Sequence, residues 1–108
     1  MANNSSKSDW KHFKHVREIA LERLCERALA NMTDIASDSS TTFHDRFLQV
    51  YRTINECNEQ IMAAFDMHSR SRMMVQLAIM QSLNLMEESE IQEFTQQVRD
   101  QLELNSSC

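Results

Sequence analysis

Ser37-Asp38-Ser39-Ser40-Thr41-Thr42 separates two long apolar-periodic stretches, and its reading decides the fold. Short hydroxyl and carboxylate side chains compete with the backbone for hydrogen bonds, so such a run ends one helix and starts another. Thr42, followed three residues later by Asp45, resembles a capping box with Asp in place of Glu. Upstream, Phe13, Val16, Ala20, Leu24, Ala28, Met32 and Ile35 recur every three or four residues, widened by Ile19, Leu21, Cys25 and Leu29. The pattern predicts an amphipathic helix from Asp9 to Ala36, roughly 42 Å long, with Ser8 or Asp9 as its cap. Downstream, Phe47, Val50, Ile54, Cys57, Ile61, Ala64 and His68 form a near-heptad stripe, with Tyr51 and Phe65 alongside. Such a stripe suits an antiparallel neighbour at a shallow angle.

The 108 residues include no glycine and no proline. Glycine is the usual supplier of positive φ and proline the usual helix breaker, so few turns can be built and the helices should be long. The polar stretch from Asp66 to Arg72 can be one side of a continuous helix, with Asp66 and Arg70 paired at i,i+4, or a break capped by Ser69 or Ser71. Nothing in it demands a special backbone angle, so the expectation is one helix from Phe43 to Leu83. Leu83-Asn84-Leu85-Met86 reads as a turn, because Asn is the best non-glycine residue for the left-handed position that ends helices. A last helix starts near Glu87, where Glu88 and Glu90 complement the helix dipole, and presents Ile91, Phe94, Val98 and Leu102.

The architecture read from this is all-α: a long antiparallel helical hairpin plus a short C-terminal helix. Residues 9–104 form a single helical domain between polar tails at 1–8 and 105–108. A hairpin is thin, so completion of a helical bundle by dimerisation is expected, a two-fold dimer being the commonest solution.

Composition narrows the function. A net charge of −5 argues against a dedicated nucleic-acid binder. Cys25, Cys57 and Cys108 have neither disulfide-framework nor C-x-x-C spacing. The most apolar run, Met73 to Met86, is interrupted by Gln76, Gln81, Ser82 and Asn84 and is too short to span a bilayer. With no apolar region at its start to act as a secretory signal, the chain is expected in the cytoplasm with reduced thiols. Phosphate and dinucleotide cradles in their usual form need glycine. His12 and His15, one turn apart with Glu18 and Glu22 near, invite a metal. However, the Glu-x-x-His and His-Glu-x-x-His motifs are missing, so neither metal nor cofactor is expected. Cys25 and Cys57 fall on apolar stripes, where thiols act as small hydrophobes, so no enzyme is read.

The most unusual local feature is Met-rich: Met62, Met67, Met73, Met74, Met80 and Met86. Between Met73 and Met86 apolar residues surround most of the helix, more than one neighbour covers. This points to a partner-binding face of Met73, Met74, Leu77, Met80 and Leu83. The expected function is a non-enzymatic protein–protein interaction module (adaptor, chaperone-like or regulatory subunit), a homodimer using segment 62–86. The alternative is a small nucleic-acid-binding transcriptional regulator using Lys11, Lys14, Arg17, Arg70 and Arg72, with Trp10 and Phe13 to stack on bases. Against it, Glu87-Glu88-Ser89-Glu90 would repel phosphate from the would-be recognition helix.

Overall fold

The computed structural model describes residues 7–66 and 69–106. His68, Met67 and Cys108 lie outside the described residues, as do 1–6 of the expected N-terminal tail and 107 of the C-terminal one. Among the described residues there are five α-helices: α1 (Lys7–Ser37), α2 (Phe43–Phe65), α3 (Met73–Ser82), α4 (Glu88–Gln92) and α5 (Gln96–Ser106). A single 3-10 turn, Arg70–Arg72, leads into α3, and there is no strand among the described residues. Helices α1 and α2 pack as the expected hairpin.

The hairpin loop forms as its residues dictate. Asp38 accepts from Ser40 N at 3.0 Å and Ser40 Oγ at 2.6 Å, and these bonds hold its carboxyl below the usual range. Thr42 Oγ1 caps α2 by accepting from Asp45 N at 3.0 Å. Arg46 returns to α1, donating to the Ala36 carbonyl at 2.8 Å, where orphan carbonyls favour a cation.

Helix two is not continuous to Leu83. It stops at Phe65, Ser69 is extended (φ −142°, ψ 141°), and α3 begins at Met73. The physical reason is the all-round apolar character of α3. Continued in line, it would carry Met73, Leu77 and Met80 into water; after the break, all three lie at 0% exposure against α1, α2 and α5. Arg17 helps seal the end of α2 by donating to the Phe65 carbonyl, with its guanidinium 5.7 Å from the Phe65 ring centroid.

The end of α3 matches its sequence reading. Asn84 has φ 57°, the sole positive φ among the described residues. Leu85 N donates to Met80 O and Asn84 N to Gln81 O, both at 2.9 Å, which is the Schellman pattern. Leu85 and Met80 are both buried, supplying the apolar contact that accompanies it.

The last helix is corrected too. It is two helices, α4 and α5, with Thr95 between them. The cause is tertiary. The buried Asp9 carboxylate accepts from Thr95 N at 2.9 Å and from Thr95 Oγ1 at 2.7 Å. Asp9 therefore supplies the acceptor that the first turn of α5 needs, where the sequence reading offered Ser8 or Asp9 as the cap of α1; both lie inside that helix, which already includes Lys7.

All of this gathers one core at one end. Phe13, Val16, Ala20 and Leu24 of α1 meet Ala64 and Phe65 of α2, α3, and then Leu85, Met86, Phe94, Val98 and Leu102. Beyond Leu24 on α1 and before Ala64 on α2, no described residue is fully buried. The molecule measures 57 × 25 × 23 Å with a radius of gyration of 16.8 Å, against about 13 Å for a compact chain of this length. The excess is the distal hairpin, two helices wide.

Candidate functional site

The Met-rich face expected to bind a partner is mostly interior. Met73, Leu77 and Met80 belong to the core, while Met74 and Leu83 are half-buried against it. The covering neighbour is the chain itself, so the expectation of a free surface there is corrected. Gln76, between them, is also fully buried, and neither its amide nitrogen nor its oxygen has a hydrogen-bond partner.

A row of α1 side chains straps the segment after α3 onto this core. Arg27 donates to Leu83 O at 2.9 Å and Asn84 O at 2.5 Å. Arg23 donates to Leu85 O at 2.8 Å and makes a two-pronged pair with Glu90, at 2.6 and 2.8 Å. That pair holds the Glu90 carboxyl below its ordinary range and pushes the Arg23 guanidinium up. His12 Nε2 lies 2.7 Å from Glu90 O, and its ring meets Phe94 edge-on at 4.5 Å between centroids.

The basic set is divided. Lys11, Lys14 and Arg70 are exposed, whereas Arg17 and Arg72 are half-buried and Arg17 is committed to the end of α2. The stacking platform is also spent internally. Phe13 is buried and stacked on Trp10 at 5.5 Å, with the Lys14 ammonium 5.6 Å from the Trp10 ring. His12 and His15 do not converge with acidic side chains into a metal-binding group of three among the described residues.

Apart from Val75 and Leu104, the large exposed apolar side chains among the described residues lie elsewhere, on the hairpin. Phe43 is 83% exposed, Phe47 69%, Leu29 62% and Tyr51 58%, with Met62 and Ile54 about half exposed. Two grooves run along the hairpin, one on each face, and Ala28 and Cys57 border both, which puts those residues in the seam between α1 and α2. One groove, about 300 Å³, is polar, edged by Arg27, Asn31, Glu56 and Gln60, and touched by Leu83 from the basal lobe. The other, about 330 Å³, is lined by Cys25, Leu29, Met32, Ile54, Asn58 and Ile61 among others, with no charged side chain and no residue of α3, α4 or α5. It is bare on the side away from the lobe. Burial pushes the Cys57 thiol up, and Cys25 nearby adds to the shift, so this seam thiol is a packed hydrophobe with little thiolate.

Compared with known proteins, the chain matches no family, no curated relative and no solved structure. The site therefore rests on its own geometry. No helix among the described residues is long and apolar enough to cross a membrane.

The sequence reading expected uncovered faces on the thin hairpin without saying which residues form them: it placed Phe47, Ile54 and Tyr51 in or beside one α2 stripe and gave Phe43 only as the start of the helix. The signal was present in the spacing. Val50, Cys57, Ile61 and Ala64 trace one line along the helix, while Phe43, Phe47, Tyr51 and Ile54 trace a second line beside it. One neighbouring helix covers one line.

Proposed function

We propose that the chain is a non-enzymatic helical protein–protein interaction module whose working surface is the bare apolar face of its distal hairpin. One observation carries this: six of the large apolar side chains left exposed, Leu29, Phe43, Phe47, Tyr51, Ile54 and Met62, lie on the hairpin, whereas α3 and α5 leave only Val75 and Leu104 so exposed among the described residues. Monomeric proteins rarely expose apolar patches beyond a few hundred Å², and larger ones mark interaction sites. The groove lining also lacks charged side chains that docking would strip of water, and the cation nearest the exposed rings, Arg46, already lies 4.5 Å over Phe43. An adaptor, chaperone-like or regulatory subunit has these attributes, and a reducing cytoplasm suits the unpaired Cys25 and Cys57.

The test is a photo-crosslinking side chain placed at Phe47 and expressed in the native host. A discrete adduct is expected from Phe47, absent when the crosslinker sits at Glu59, an exposed α2 position outside the groove lining, and lost on adding Ile54→Asp. Equal labelling from both positions, or none from Phe47, overturns the reading.

A further inference from the structure

Resting on that reading, we infer that the partner of the distal face is a second copy of this chain, related by a two-fold axis that crosses α2 near Ile54. Three observations carry it. The first is area. At roughly 200 Å² per large side chain, the exposed fractions of Leu29, Phe43, Phe47, Tyr51, Ile54 and Met62 amount to on the order of 750 Å². A standard protein interface buries about 800 Å² per partner, so one copy of this face is sufficient for one side of a stable contact.

The second is self-complementarity. Phe43, Phe47 and Tyr51 stand out along the leading half of α2, whereas the groove lies beside its trailing half, with half-buried Cys57 and Ile61 in its lining and only Met62 as a large exposed apolar side chain there. Ile54 is the middle residue of Phe43–Phe65. A two-fold axis at that level runs the two α2 helices antiparallel and exchanges the halves. Phe47 of one copy then reaches the level of Ile61 of the other, and Tyr51 the level of Cys57. A face that is ridged in one half and hollow in the other matches itself, as an isologous contact requires.

The third is access. The groove is bordered by α1 and α2 alone, so the basal lobe does not obstruct a second hairpin laid across it. Two hairpins joined this way form a four-helix bundle, with Cys25, Leu29 and Met32 of each α1 closing its interior.

Sedimentation of the purified chain over micromolar concentrations is expected to give about twice 12.7 kDa. Ile54→Asp should weaken association at least about 30-fold while helical circular dichroism is retained. Should Ile54→Asp lose its fold, Tyr51→Lys, at the more exposed position, makes the same test. Spin labels at the exposed Asp45 fix the orientation: the antiparallel contact predicts a separation of roughly 30 Å from the helix rise, and a tip-to-tip contact predicts a much shorter one. A folded monomer at all concentrations overturns the second copy as partner, as does a dimer indifferent to Ile54→Asp and Tyr51→Lys. A short label distance overturns the antiparallel axis. If the purified chain is monomeric but Phe47 still crosslinks in cells, the interaction module stands with a different partner. If both are negative, the module reading falls as well.

Discussion

The same two helices live in different company at their two ends. In the basal half, Phe13, Val16, Ala20 and Leu24 are covered by α3, α5 and the segment between them; in the distal half, Leu29, Phe47, Tyr51 and Ile54 stay about half or more exposed among the described residues. The apolar periodicity does not fade between these halves. What changes is the number of neighbours: several at the base, one in the hairpin. A two-helix ribbon buries only its seam, so an apolar stripe wider than the seam is a record of a surface that another molecule can cover.

The comparison breaks most sharply under charge. Leu77→Asp places an ion in the basal core and should cost at least about 4 kcal/mol, a large part of a small domain's stability, whereas Ile54→Asp, at concentrations low enough to dissociate the dimer, should leave the fold's stability within about 0.5 kcal/mol. Chemical denaturation followed by circular dichroism measures both. Similar losses for the two variants would mean that the distal face is as much a part of the fold as the core.

A smaller effect probes how the base is fastened. Asp9→Ala leaves Thr95 N and Oγ1 without their acceptor and should cost about 2 kcal/mol, with α5 losing hydrogen-exchange protection before the hairpin loop does. Uniform loss of protection would show that the two halves open together.

The smallest effect is with acid. Glu90 in the docked state ionises more readily than its ordinary value of 4.5, because Arg23 donates to it. The folded chain then binds fewer protons than the unfolded one as pH falls below that value. The stabilisation is complete above about pH 4.5 and is lost as pH drops through the lowered Glu90 value. Denaturation midpoints between about pH 6 and pH 3 should fall less steeply in Glu90→Gln, whose amide does not ionise.

Legibility followed locality. The loop at Ser37–Thr42 and the left-handed Asn84 were readable because each is decided within a few residues. The interruption of α2 was not, since Asp66, Ser69, Arg70 and Ser71 tolerate helix and turn alike; it is imposed by the apolar surface of α3, which must find cover. The division of α4 from α5 escaped for a related reason, as the acceptor for Thr95 comes from Asp9 at the other end of the chain. The Met-rich segment shows how a sound observation can lead to the wrong surface. Apolar residues all round a helix mean many contacts, and sequence alone does not say whether one's own chain or another supplies them. Here α1, α2 and α5 do, and the surface left over lies on the long hairpin, whose thinness already implied uncovered faces.

The Asp9–Thr95 bond has a consequence for how the protein is made. Synthesis releases Phe13, Val16, Ala20 and Leu24 long before Phe94, Val98 and Leu102 exist to cover them. At about 5–20 residues per second, the stripe waits roughly 4–16 s between the addition of Leu24 and that of Leu102. During that interval the nascent hairpin carries bare apolar surface at its base as well as along its distal face. The first half of α1 is therefore the segment most in need of chaperone cover on the ribosome, and α5 is the element whose arrival ends that need.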